Sequence, residues 1–199
     1  MVASMNYDQY VKYQTEGAGM VKKPLRYRRG ERRAIDILFE NIPRHYSVLD
    51  VGCGSGTGMT YLRDKGYASL RGIELNHKKV ELCKRKGLDV FLGDSESILF
   101  PGKFDVIWSS HSFEHMLRPN LVLNNLLLMA TKETYFFFIL PYVDTGPPQV
   151  HCASDTIGTR VNDNGKSVID WFSCRGLKVL ETKFDDYREN EIWLKMQKA

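Results

Sequence analysis

The chain has 199 residues, of which 43% are hydrophobic and 26% charged, proportions ordinary for a globular domain with a sizeable core. No apolar run approaches the roughly 20 residues that a membrane-spanning helix needs, and the first residues lack a charged segment followed by an apolar one. We therefore expect neither a membrane protein nor a signal peptide. The four cysteines show no C-x-x-C spacing, which disfavours a thiolate zinc site or a radical cluster and suits a reducing, cytoplasmic environment.

Residues 1–33, the basic leader, carry most of the positive charge. Eight basic residues stand there against three acidic ones, a net charge of +5 compared with +4 for the whole chain. The basic residues are interleaved with tyrosines and comprise Lys12, Lys22, Lys23, Arg26, Arg28, Arg29, Arg32 and Arg33. Such a segment predicts either a lid over a ligand site or a patch for a phosphate-bearing acceptor such as RNA. A solvated helix whose tyrosines pack on the sheet is a third interpretation, since charge runs commonly just face water.

Short apolar runs alternate with amphipathic stretches along the rest of the chain. We expect helices over residues 31–41, 59–65, 77–86, 120–130 and 165–175, and strands over residues 48–51, 70–74, 90–94, 104–110, 134–140, 177–184 and 191–196. This alternation predicts a parallel α/β sheet covered by helices on both faces. No helix separates the last two strands, so they must pair as a hairpin that makes the final strand antiparallel. Residues 142–164 fit neither pattern and predict a long, functional loop.

The first predicted strand runs into a glycine-rich loop. Residues 47–58 read SVLDVGCGSGTG, with glycine at every second position after the strand. Glycine lets the backbone turn sharply and approach a ligand closely. The dinucleotide pattern G-x-G-x-x-G does not fit, because its sixth position is Thr57 when counted from Gly52 and Met59 when counted from Gly54. The pattern that fits is D-x-G-x-G-x-G, with Asp50 at the tip of the strand.

This loop resembles motif I of the class I S-adenosylmethionine (SAM)-dependent methyltransferases. Three later landmarks are similar to that family in the same order, since Glu74 ends the second strand, Asp94 the third and Ser110 the fourth. The resemblance covers residues 45–140 and implies a Rossmann-like, doubly wound sheet of seven strands with SAM as cofactor. It further implies that Glu74 accepts the ribose hydroxyls and that Asp94 meets the adenine amino group. The cofactor contacts that it implies are Asp50, Gly52, Cys53, Gly54, Gly56, Glu74, Leu75, Asp94, Ser95 and Ser110.

A histidine-rich segment follows the fourth strand, where the resemblance places the transferred methyl group. If a helical turn begins there, His111, Glu114 and His115 share one face, and His151 in the long loop returns to the same sheet edge. This is similar to the E-x-x-E-H segment and distant histidine of the small-RNA 2′-O-methyltransferases, in which a divalent metal holds the acceptor hydroxyls. Here His111 replaces the first glutamate. Two hypotheses stay open for these four residues: a site for Zn²⁺, Fe²⁺ or Mn²⁺, or metal-free acid–base catalysis.

Taken together, these patterns favour an enzyme that methylates an oxygen of a small molecule. The absence of D-P-P-Y, N-P-P-Y and P-C sequences disfavours the amino-methylating DNA enzymes and the C5-pyrimidine enzymes. An RNA methyltransferase that uses the basic leader is one alternative, and a SAM-binding protein without turnover is another. Residues 142–164, with Tyr142 and Asp144, are expected to line the acceptor side of a single domain. The acceptor itself is not readable from the sequence.

Overall fold

The computed structural model describes residues 5–16 and 25–199, so Lys22 and Lys23 of the basic leader lie outside the described residues. The helices are α1 (Tyr7–Glu16), α2 (Leu25–Leu38), α3 (Thr57–Asp64), α4 (His77–Arg85), α5 (Pro119–Leu128), α6 (Ser154–Ile157) and α7 (Lys166–Ser173). The strands are β1 (Val48–Val51), β2 (Leu70–Glu74), β3 (Val90–Leu92), β4 (Phe104–Ser110), β5 (Ala130–Pro141), β6 (Leu177–Asp185) and β7 (Glu191–Lys198). A 3₁₀ turn covers Phe113–His115. Within the described ranges, no helix combines the length and the apolar character needed to cross a membrane.

The strands form one seven-stranded sheet in the order β3-β2-β1-β4-β5-β7-β6. β1 pairs in parallel with β2 and β4, whereas β7 lies antiparallel between β5 and β6. The predicted sheet, mostly parallel with a reversed final strand, is therefore confirmed. The direction in which the chain winds changes between β1 and β4, and ligands of open α/β sheets bind in the crevice beyond the carboxyl ends of such strands.

Two apolar layers cover the sheet. One includes Leu49, Phe138 and Phe172 and lies on the side of α5 and α7. The other includes Phe39 and Trp108 and lies on the side of α2 and α3. All four residues of β1 are buried, as expected of a parallel strand with helices on both faces.

Two elements differ from their predicted bounds because of contacts that are distant in sequence. α2 begins at Leu25 instead of residue 31 and includes Gly30. A Cβ at Gly30 would lie 2.0 Å from Cγ of Arg188, so glycine allows α2 to pack against the chain between β6 and β7. β5 begins at Ala130 instead of residue 134, with a shift of register in its pairing with β4. There the Thr134 hydroxyl donates to the carbonyl oxygen of Phe104 at 2.6 Å.

Candidate active site

A cavity of about 840 Å³ lies beyond the carboxyl ends of β1 to β4. It is lined by six of the predicted cofactor residues and by all four predicted catalytic residues, namely Gly52, Gly54, Glu74, Leu75, Asp94, Ser95, His111, Glu114, His115 and His151. The other predicted cofactor residues, Asp50, Cys53, Gly56 and Ser110, are not among the residues that line this cavity. The structure thus brings the two predicted sets of residues into one space.

The glycine loop and the end of β2 form one end of the cavity. The Gly54 amide donates to Glu74 Oε2 at 2.9 Å, and the Asn76 amide donates to Glu74 Oε1 at 2.8 Å. These two bonds fix the carboxylate while leaving further lone pairs on both oxygens. Gly54 has φ +56, and a Cβ added to it would meet no atom within 4 Å. Its backbone therefore offers a bare surface to a ligand in the cavity.

Helix α1 covers this end of the cavity. Tyr10, Tyr13 and Gln14 line it. The Tyr7 hydroxyl donates to Asp94 Oδ2 at 2.7 Å, and burial together with this hydrogen bond raises the pKa of Tyr7 to about 12. Asp94, which the resemblance assigns to adenine, therefore already accepts one hydrogen bond from the basic leader. The described part of the leader thus contributes to the wall of the cavity.

His111 occupies the centre of a buried group of charges at the other end of the cavity. Its Nε2 donates to Glu191 Oε1 at 2.8 Å, and its Nδ1 lies 2.9 Å from Glu189 Oε1 and 3.4 Å from Glu114 Oε1. Burial alone would lower the pKa of His111, but the three carboxylates raise it to about 10. The side chain is therefore an imidazolium at neutral pH and cannot accept a proton from a substrate.

The helical turn expected across His111, Glu114 and His115 does not form, because His111 has φ +48 and lies outside the 3₁₀ turn. Glu114 Oε1 nevertheless lies 3.4 Å from His111 Nδ1 and 3.8 Å from His115 Nε2, so the three side chains still meet. Among the described residues, the group whose possible metal-ligand atoms all lie within 4.8 Å of one another is His111, Glu189 and Glu191. Both ring nitrogens of His111 already contact different carboxylates, so the ring cannot turn a lone pair towards a shared ion. These contacts do not support the hypothesis that His111, Glu114, His115 and His151 hold one metal ion.

Glu114 is buried, with an exposed fraction of 1%, and lines the cavity. Burial alone would raise the pKa of Glu114, but its contact with His111 lowers it to about 2, so the carboxylate is ionised. Its Oε1 faces His111 and lies 3.8 Å from His115 Nε2. Its Oε2 is fully buried and has no hydrogen-bond partner among the described residues.

His151 and Asp144 form a hydrogen-bonded pair in the segment between β5 and α7. His151 Nδ1 lies 2.7 Å from both carboxylate oxygens of Asp144, which also accepts hydrogen bonds from Ser154 and from the Gly146 amide. Burial alone would raise the pKa of Asp144, but these bonds lower it to about 2. An ionised carboxylate can only accept, so Nδ1 carries the proton and Nε2 is the nitrogen left for the cavity. Burial would lower the pKa of His151, whereas the bond to Asp144 raises it.

The 3₁₀ turn holds this segment in place. His115 Nδ1 donates to the Val150 carbonyl at 2.8 Å, and the Ala153 amide donates to the Glu114 carbonyl at 2.9 Å. The rings of His115 and His151 meet edge to face with centroids 4.7 Å apart. Residues 142–164 therefore return to the edge of the sheet beside β4. The sequence identified Asp144 only as an acceptor-side residue, and its pairing with His151 was missed.

A seven-stranded sheet with a reversed last strand, a glycine loop after β1 and an acid at the end of β2 define the class I SAM-dependent methyltransferase fold. Solved structures of similar shape include the magnesium protoporphyrin IX methyltransferase ChlM from Synechocystis PCC 6803 with bound S-adenosylhomocysteine (SAH), at a TM-score of 0.64 and 14% identity over 97% of this chain and 94% of that one. The [4+2]-cyclase SpnF is similar at a TM-score of 0.69 and 14% identity, over 93% of this chain and 85% of that one. Similarity at this level concerns the fold alone.

Residues 32–142, more than half of the chain, match the family described as "Methionine biosynthesis protein MetW", and the chain belongs to this family. It is also 36% identical over 109 residues to the phthiotriol/phenolphthiotriol dimycocerosates methyltransferase of Mycobacterium tuberculosis, a match that spans 50% of this chain and 38% of that protein. The fatty-acid O-methyltransferase of Mycolicibacterium smegmatis is 32% identical over 97 residues, which are 46% of this chain and 35% of that protein. The chain thus matches well under half the length of these relatives.

Proposed function

We propose that the protein transfers the methyl group of SAM to a hydroxyl oxygen of a small molecule. The observation that carries this proposal is the cavity, which joins the glycine loop and Glu74 to the Asp144–His151 pair. A methyltransferase needs these two parts side by side, because it has to align a donor with an acceptor and to remove one proton. The M. smegmatis relative, described as an O-methyltransferase, supports oxygen as the acceptor atom.

The residues at the glycine-loop end fit SAM. The open space beside Gly54 admits a close ligand, and the fixed Glu74 carboxylate can accept hydrogen bonds from ribose hydroxyls. Arg28 lines the same cavity and forms no ion pair with any described residue, so it can bind the carboxylate of the methionine moiety. When bound, SAM supplies a methyl group on a sulfonium centre.

His151 is the general base in this proposal. Its Nε2 takes the proton of the acceptor hydroxyl, while Asp144 holds the ring in the Nδ1–H tautomer and stabilises the imidazolium that forms. The same bond raises the pKa of His151, so the ring can act as a base only at pH values above this raised pKa. His111, which the sequence offered as an alternative base, is already protonated at neutral pH.

A small molecule is favoured over RNA by the charges around the acceptor. Glu114 and Glu189 line that end of the cavity, and carboxylates repel phosphate groups. Two arginines of the leader have partners in the fold as well: Arg32 lies over the ring of Tyr61, and Arg33 pairs with Asp185 at 3.0 Å. These contacts support the interpretation of the leader as a lid.

Incubation with methyl-labelled SAM and a panel of alcohols, phenols, amines and total RNA tests the proposal. We expect label in a hydroxyl-bearing small molecule, and a rate lowered about 10²- to 10⁴-fold by His151→Ala. His45→Ala, which removes an exposed histidine, is the matched control and should leave the rate unchanged. Label found in RNA would favour the alternative substrate. SAH binding without transfer to any member of the panel would indicate a non-catalytic SAM-binding protein.

A further inference from the structure

Arg160 lies against the Asp144–His151 pair, just beyond the short helix α6. Gly158 ends α6 with φ +82, in the left-handed region that glycine tolerates, and so turns the chain back towards the residues that follow β5. The Asp144 amide donates to the Thr159 carbonyl at 2.9 Å, and Nη1 of Arg160 donates to the Asp144 carbonyl at 3.1 Å. The fold of this segment therefore places one guanidinium beside the carboxylate that holds His151.

The guanidinium faces the Asp144 carboxylate without occupying its hydrogen-bonding positions. The two carboxylate oxygens already accept hydrogen bonds from His151, Ser154 and the Gly146 amide. Nη2 of Arg160 lies 4.0 Å from Asp144 Oδ2, is buried and makes no hydrogen bond with the described residues. The Asp144 side chain has an exposed fraction of 2%, so water screens this pair of charges only weakly. Arg160 therefore acts on the carboxylate through its charge.

Other charged and titratable groups face the same residues. Asp155 Oδ1 lies 3.1 Å from Nε of Arg160, but the Asp155 side chain has an exposed fraction of 71%, so solvent screens its charge. Glu114 is ionised and favours the protonated form of His151. The His115 ring meets His151 edge to face and lies 3.8 Å from Glu114 through its own Nε2. Arg160 opposes these carboxylates as a permanent cation, because a guanidinium does not lose its proton.

Arg160 and His151 compete for the charge of one buried carboxylate. When His151 is neutral, the guanidinium balances Asp144. When His151 gains a proton, two cations face the same carboxylate, and the repulsion disfavours the imidazolium because only the imidazole can lose its proton. Burial lowers the pKa of His151, the bond to Asp144 and the nearby carboxylates raise it, and the charge of Arg160 opposes that rise.

We propose that Arg160 is a positioning residue that keeps His151 unprotonated until the acceptor hydroxyl supplies its proton. This inference rests on the proposed function, because it takes His151 as the general base. The guanidinium holds the backbone of Asp144 and balances its charge. The carboxylate can therefore orient the Nδ1–H tautomer without stabilising a proton from water on Nε2. Arg160 is not among the residues that line the cavity, so it acts through the pair and not on the acceptor.

Histidine side-chain NMR, recorded without cofactor or acceptor, tests the inference alongside the pH–rate profile of methyl transfer. We expect Arg160→Gln to raise the pKa of His151, because the charge is lost while the amide can still donate to the Asp144 carbonyl. The acidic limb of the profile should move to higher pH, with the rate on that limb about three- to tenfold lower and the plateau unchanged. Arg160→Lys keeps the charge and should preserve the titration.

Arg175→Gln is the matched control. Arg175 is half-buried like Arg160 and also donates Nη1 to a backbone carbonyl, that of Trp171 at 2.9 Å. Its Nε donates to Asn120 Oδ1 at 2.7 Å, and it does not line the cavity. The control should leave both the His151 titration and the pH–rate profile unchanged.

A purely structural role for Arg160 predicts a change of opposite sign. If Arg160 only held Asp144 in place, its loss would weaken the bond to His151 and lower the pKa of His151. A fall, or no change, in a folded Arg160→Gln protein would therefore overturn the inference. If the glutamine variant does not unfold cooperatively, Arg160→Met replaces it and must give the same rise. A raised pKa in a protein that methylates no acceptor would confirm the effect of Arg160 on the pair but overturn His151 as the base, so the two failures are distinguishable.

Discussion

Gly146 makes the Asp144–His151 pair possible, and its replacement by alanine is a direct test of that pair. A Cβ added at Gly146 would lie 2.4 Å from Nδ1 of His151 and 2.5 Å from Cε1. The backbone of Gly146 is not in the left-handed region, so alanine strains the site through this contact and not through φ. Gly146→Ala therefore displaces the imidazole ring of His151 without removing any polar group.

The size of the displacement follows from these distances. Ordinary contacts of a Cβ begin at 3.4 Å, so the ring must move by about 1 Å. Nδ1 lies 2.7 Å from both oxygens of Asp144, and a movement of that size takes it beyond hydrogen-bond distance. A misplacement of about 1 Å at a catalytic group costs on the order of 10²-fold in rate. We expect that loss for Gly146→Ala, with the pKa of His151 falling because it loses its carboxylate partner.

Two measurements check this prediction. Histidine side-chain NMR follows the titration of His151, and transfer of labelled methyl groups follows the rate. Asp144→Asn serves as the reference, because it weakens the same bond without moving the ring by contact. Both variants should shift the acidic limb of the pH–rate profile to lower pH. A Gly146→Ala protein that keeps both the His151 titration and the rate of the unaltered protein would refute the reasoning.

Three further predictions concern the cofactor end and the buried charges. Gly54→Val should abolish SAH binding in calorimetry, because its side chain enters the space beside the glycine loop, and a loss below about tenfold would contradict the assignment. Glu191→Gln should lower the free energy of unfolding in urea by about 3–5 kcal/mol, because it leaves His111 and Arg188 short of a buried counter-charge. The pKa of His111 is raised from 6.5 to about 10 in the folded state, so its stabilising contribution is complete below pH 6.5 and is lost as pH rises through about 10. Urea unfolding across that range should show declining stability, and His111→Gln should lessen the decline.

Much of the fold could be predicted because its signals are local. The apolar strand VLDV, the glycine loop after it and the missing helix before β7 are each contained in a short stretch of sequence. Together with the alternation of apolar and amphipathic stretches along the chain, they were sufficient to predict the seven strands and the reversed direction of the last one. The early start of α2 could not be predicted, because the stretch around Gly30 is highly charged. Its helical conformation is supported by packing against Arg188, which is distant in the chain.

The sequence predicted which residues lie close together at the candidate site but not how their side chains are oriented or paired. Sequence spacing placed His111, Glu114 and His151 together, and all three line one cavity. Spacing could not show that His111 turns towards Glu191, since a positive φ decides its direction. Nor could it pair Asp144 with His151, because that contact depends on how the segment after β5 folds back. The available signal for Glu191 was a charged residue directly before the apolar stretch of residues 192–194 in the final strand.

The Asn76 side chain connects α1 to the first turn of α4. Its Oδ1 accepts from the amides of Lys78 and Lys79, and its Nδ2 donates to the last carbonyls of α1, those of Gln14 and Thr15. Because α1 forms part of the cavity wall, we expect these bonds to slow the release of a ligand the size of a nucleoside. Replacing Asn76 should then shorten the residence time of such a ligand more than it lowers the affinity, because the side chains that line the cavity stay in place.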